Sequence, residues 1–142
     1  MIIPDINLLL YAVIDAFSEH PKARKWWERL MNGQRQVGLA SPAIFGFIRV
    51  STNPRVFATP LSVDDAVSRV EGWLQRPQVR HLVSGPRHIE IAFRLLRDLG
   101  AAADLTTDVQ LAAVAIELQG EVHSNDNDFG RFSGLRWINP LA

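Results

Sequence analysis

A chain of 142 residues, 47% hydrophobic and with four tryptophans and seven phenylalanines, has the material for about one domain with a substantial core, and nothing in the composition suggests disorder. The absence of cysteine excludes disulfide staples, thiolate metal sites and cysteine nucleophiles together. Fifteen basic and fifteen acidic residues cancel, so no overall positive field draws nucleic acid to this chain; such contact has to come from a local basic patch or from cations bridging acids to phosphate.

The opening Met1 to Asp5 has no basic region before its first acid, and no apolar run approaches the ~18 residues that span a bilayer, so a cytoplasmic protein is expected. Ile2-Ile3 reads as a short buried strand closed by Pro4, followed by a helix from Asn7 to Val13. Pro21 to Asn32 carries Ala23, Trp26, Trp27, Leu30 and Met31 at helical spacing and stops at Asn32-Gly33, with Lys22, Arg24, Lys25 and Arg29 on its outer face. That spacing assigns the tryptophans to core or interface rather than to base stacking. Val37 to Leu39 is a second strand. Ser41-Pro42 then supplies an N-cap and a first-turn proline for a helix through Ile44, Phe45, Phe47 and Ile48 to about Thr52.

Ser62 with Asp65 is a capping box opening a helix whose stripe is Val63, Ala66, Val67, Val70, Trp73 and Leu74. Pro86 to Leu99 is amphipathic and ends at Gly100. Thr107 to Gln119 is apolar on nearly every side, the mark of a central helix, and Thr107 with Gln110 reads as its capping box. Glu121 to Ser124 and Leu135 to Ile138 complete a set of short strands separated by helices, which implies a parallel α/β sandwich.

In such sheets ligands bind beyond the carboxyl ends of the strands. Asp5 follows the first strand, Asp126 and Asp128 follow the strand ending at Ser124, and Asp108 stands in the first turn of the central helix. Each acid has a local explanation, as cap, turn or solvated loop residue, but their shared edge favours a common role. Converging carboxylates repel unless protonated or bridged by a cation, and a hard ion such as Mg²⁺, or Mn²⁺ with the same ligands, resolves the conflict. Such an ion activates water and stabilises a departing oxygen in phosphodiester displacement.

These residues resemble the PIN-domain family, specifically the VapC-type toxins of bacterial toxin–antitoxin pairs. Asp5-Ile6-Asn7-Leu8-Leu9 is similar to the family's Asp-x-Asn-x-Leu opening, Asp108 to Ala113 to its Asp-x-x-Leu-Ala-Ala helix start, and Ser124 to Phe129 to its Thr-x-Asp-x-Asp-Phe motif. Phe47 to Phe57 and Arg131 to Pro140 resemble one subgroup of these toxins. The resemblance implies a single PIN domain over residues 1–142, a PIN-like α/β/α sandwich with a short central parallel sheet, and a Mg²⁺-dependent endoribonuclease neutralised by a cognate antitoxin. It implies catalytic and metal roles for Asp5, Asp108 and Asp126, with Asp128 and Asp104 as further ligand candidates. It also implies a homodimer, for which the helices Pro21–Asn32 and Pro42–Thr52 offer surfaces. The family commonly has a glutamate where Gly46 stands, so a one-metal site anchored by Asp5 and Asp108, beside a groove widened by the glycine, is expected.

Asn7 and Thr107 are supporting candidates near the acids, and Arg49, Arg55 and Arg87 are candidates for holding RNA phosphates. His20, His81, His88 and His123 lack the i,i+4 pairing of a metal helix and are expected to be structural. Two other functions compete: a catalytically weakened PIN fold that binds RNA or a protein, motivated by Gly46, and a dehalogenase-type phosphatase. The phosphatase reading is poor, because Asn7 stands where a second aspartate belongs and no lysine follows Lys25.

Overall fold

The computed structural model describes residues 1–142, apart from the side chain of Ala103. Five parallel strands, β1 (Ile2–Pro4), β2 (Val37–Ala40), β3 (Val79–Leu82), β4 (Glu121–His123) and β5 (Arg136–Ile138), form one sheet in the order β3-β2-β1-β4-β5. Six helices flank it in an α/β/α sandwich: α1 (Ile6–Val13), α2 (His20–Met31), α3 (Ser41–Ser51), α4 (Val63–Leu74), α5 (His88–Leu99) and α6 (Thr106–Glu117). The central strands are apolar because helices cover both of their faces; β1 and β2 are buried at every residue. Among the described residues no helix is long and apolar enough to cross a membrane.

Sequence periodicity placed most helices to within two residues and missed β3. Its residues, Val-Arg-His-Leu, are buried only at the two ends, since an edge strand exposes its middle to water. The helix starts differ in an informative way. Ser62 caps α4 as expected, accepting the Asp65 N–H at 3.0 Å. Ser41 does not cap α3: the cap position is Ala40, and the Ser41 hydroxyl meets His81 Nε2 at 2.8 Å instead. Nor do Thr107 and Gln110 form a capping box, because a 3-10 turn, Ala103–Leu105, leads straight into α6 and leaves Leu105 at the cap. Both Thr107 and Asp108 lie within the first turn.

The core is organised around an aromatic chain. Phe47 packs 5.2 Å from Trp73, Trp73 edge-on 5.2 Å from Trp27, and Trp27 5.5 Å from Trp26. Trp26 Nε1 donates to His123 Nδ1 at 3.2 Å, so His123 carries its proton on Nε2 and gives it to Glu121 at 2.9 Å. Burial pushes the His123 pKa down, which keeps the ring neutral and structural. The apolar face of α2 is thus turned into the core.

Candidate active site

With β1 in the centre, the chain leaves it toward β2 on one side and returns through β4 on the other, and a crevice opens where the direction reverses. Asp5 and Ser124 are the residues that follow β1 and β4, and the Asp5 N–H donates to the His123 carbonyl at 2.9 Å. Asp5 is both cap and site residue. Its Oδ1 accepts the Ile6 N–H at 2.7 Å, closing the start of α1, and its Oδ2 accepts the Ser124 hydroxyl at 2.8 Å. Ser124 Oγ in turn accepts the Asp126 N–H at 2.9 Å, and Asp126 Oδ1 accepts the Asp128 N–H at 2.9 Å. A continuous run of hydrogen bonds therefore ties the loop after β4 to the Asp5 carboxylate. Ser124, fully buried, is a candidate positioning residue to which sequence reasoning, quoting it only within the Ser124 to Phe129 motif, assigned no role; its signal was its place between the end of a strand and the acids.

Asp108 completes the edge from the first turn of α6. Burial pushes its carboxyl up to about 7, and the charges of Asp5, Asp126 and Asp128 push in the same direction. Asp5 is also raised, burial outweighing the stabilising hydrogen bonds from Ser124 and Ile6 while Asp126 adds repulsion. Four carboxylates from three segments thus share one electrostatic neighbourhood. Among the described residues no three acid, cysteine or histidine side chains gather closely enough to form a ready-made cation cage. A ligand set of one or two carboxylates completed by water and phosphate is nonetheless how Mg²⁺ is usually held, and an oxygen-only edge whose acids repel one another fits such an ion.

The raised Asp108 pKa makes stability depend on pH. Unfolded aspartate releases its proton near 3.9, folded Asp108 near 7, so the folded chain binds more protons between those values. Stability from this group is present below about pH 4 and is lost as pH rises through about 7. In metal-free protein the melting temperature is expected to fall more between about pH 5 and pH 8 than it does in Asp108→Asn. Equal pH dependence in the two proteins would remove Asp108 as the source.

The remaining candidates divide. Arg49 and Thr107 line a groove with Ile6 and Gly46, and in the chain Ile6 follows Asp5 while Thr107 precedes Asp108. Asn7 is half-buried in the first turn of α1. Arg55 is exposed on the Asn53-Pro54-Arg55 turn, its backbone N–H bonded to Asn53 Oδ1 at 2.9 Å. Asp104 is exposed on the 3-10 turn, and the charges acting on Asp108 come from its other neighbours. Arg87 does not belong to the site. Its N–H bonds Glu117 at 2.8 Å, and Glu117 lies about 13 Å of helix rise from Asp108. Gly46 does not widen the groove either: a Cβ built there runs into the end of the Ile6 side chain, which already occupies the space.

Among known proteins, the profile of the PIN domain matches residues 2–135. Ribonuclease VapC33 of Mycobacterium tuberculosis is 55% identical over 141 residues, covering 99% of both chains. Among solved structures, the VapBC2 complex of Rickettsia felis bound to a promoter DNA fragment aligns with a TM-score of 0.71 at 17% identity, covering 98% of each chain. VapC20 of Mycobacterium tuberculosis, described as a toxin cleaving the sarcin–ricin loop, aligns with a TM-score of 0.63 at 15% identity, covering 96% of this chain and 99% of its own. At those identities the two structures speak for the fold alone.

Proposed function

The chain belongs to the PIN-domain family, and from that premise we propose that it is a Mg²⁺-dependent endoribonuclease, the toxin of a toxin–antitoxin pair. The observation that carries this reading is the charge concentration around Asp108, where burial and three neighbouring carboxylates hold an acid at about 7. The near full-length relative named a ribonuclease supports the activity, and weighs against a merely binding PIN fold. The VapBC complex among the neighbours supports a protein antitoxin as partner.

Asp5 and Asp108 would hold the ion, with Asp126 turned toward it or toward the attacking water and Asp128 in reserve. A bound Mg²⁺, or Mn²⁺, supplies Lewis-acid activation of water and of the phosphodiester. The protein's part is positioning. Ser124 and the Ile6 N–H fix both oxygens of Asp5, so its carboxylate meets a ligand in one orientation rather than many. Thr107 and Asn7 neighbour the two anchoring acids in the chain, and Arg49 and Arg55 would offer guanidinium groups to substrate phosphates.

The test is direct. Purified protein incubated with cellular RNA is expected to create new 5′ ends with Mg²⁺ and none with chelator, and co-expression of the small protein encoded beside it is expected to suppress them. RNA left intact under both conditions would overturn the ribonuclease reading. Cleavage that persists with the co-expressed neighbour would overturn the antitoxin.

A further inference from the structure

The loop that follows β4 carries Asp126 and Asp128, and one side chain holds it at both ends. Along β5 the exposed Arg136 and Ile138 alternate with Trp137, the half-buried residue of the strand. Its indole Nε1 donates to the Ser124 carbonyl at 2.9 Å, where the loop begins. At the other end the same ring lies over Gly130: a Cβ built on that glycine would stand 3.4 Å from Cζ3 and 3.6 Å from Cε3. Beside Gly130, Phe129 is buried and meets Phe132 edge-on at 5.7 Å, so the far end of the loop is seated in the core. Both acids lie between these two holds.

Every polar group of Ser124 is thereby engaged. Its N–H donates to the Ile138 carbonyl at 3.1 Å, its carbonyl accepts from Trp137, and its hydroxyl serves Asp5 and Asp126 at 2.8 and 2.9 Å. The backbone bonds fix where Oγ sits, and Oγ fixes the Asp5 carboxylate and the Asp126 amide. Packing alone would be served by a phenyl ring; the indole adds a directed donor at the residue that orients Asp5. We propose that Trp137 is a positioning residue of the candidate active site: by clamping Ser124 and Gly130 it holds the acidic loop against Asp5 and presets these carboxylates for a divalent cation. It acts through Ser124 and the loop backbone alone. The proposal rests on the reading of Asp5 and Asp126 as residues of a metal-dependent ribonuclease, and names what holds them. Outer-shell partners of this kind commonly change metal affinity about 10–100-fold when lost.

Trp137→Phe keeps a ring over Gly130 and removes the indole N–H. In metal-free protein, amide exchange followed by NMR reads the loop directly. The Asp126 and Asp128 N–H groups, each bonded at 2.9 Å to a side-chain oxygen, are expected to exchange about tenfold faster. The Asp5 N–H, bonded to the His123 carbonyl, is expected to keep its protection, and Tm to fall by no more than about 4 °C. Calorimetric titration with Mn²⁺ is expected to give a Kd about tenfold weaker. The Mg²⁺ needed for half-maximal RNA cleavage is expected to rise by the same factor, with kcat at saturating Mg²⁺ within about twofold. Trp137→Ala, which also uncovers Gly130, is expected to exceed Trp137→Phe in each loop and metal readout. Faster loop exchange in a protein that neither binds Mn²⁺ nor cuts RNA upholds the clamp and overturns the ribonuclease reading. Unchanged loop exchange, or faster loop exchange with the Mn²⁺ affinity of wild type intact, overturns the proposal. So does exchange that quickens equally at the Asp5 N–H and along α6, which would make Trp137 a general packing residue.

Discussion

Asp5→Asn and Asp108→Asn are each expected to lower Mg²⁺-dependent RNA cleavage by at least about 100-fold, since residues that merely support a metal ligand already cost about 10–100-fold when changed. Neither change should unfold the chain. Asparagine caps a helix as well as aspartate, so in Asp5→Asn the amide oxygen can still accept the Ile6 N–H that Asp5 accepts at 2.7 Å. The site at Asp108 is strained by charge, because burial and three carboxylates oppose its ionisation. Removing that charge is therefore expected to raise the melting temperature of metal-free protein above about pH 7, even as activity disappears. Function and stability would move in opposite directions, the pattern of a group retained for chemistry. Cleavage within about threefold of wild type in either variant would show that these acids do not hold the ion.

Phe47→Ala is expected to cost about 3–5 kcal/mol, a large share of the roughly 5–15 kcal/mol that holds a domain together. Phe47 is fully buried, and its ring starts the aromatic chain through Trp73, Trp27 and Trp26 that joins α3, α4 and α2 to β4. Deleting it leaves a cavity bounded by rigid rings that cannot readily collapse. Two positions earlier, Phe45→Ala removes a ring already in water and should change stability by no more than about 0.5 kcal/mol. Urea unfolding of both variants makes the comparison. Equal losses would mean that the Phe45 ring is part of the core.

The sequence alone determined the alternation of short apolar strands with helices, the central place of Thr107 to Gln119, and the acids that follow strand ends or open a helix. Those features are local: periodicity reports which face of a segment avoids water, and a residue's place relative to a strand end is read from a few neighbours. Local pattern failed where burial did not follow type, as in β3, whose polar middle is allowed by its position at the edge of the sheet. Only the tertiary structure decided which segments meet. The bond between Ser124 and Asp5 joins residues 119 apart in the chain, Ile6 fills the space over Gly46 from another helix, and Ser41 turns from its helix cap to His81 on a neighbouring strand. None of these partners is encoded within a turn or two of the residue it serves; each exists because strand order and helix packing bring distant stretches of backbone together.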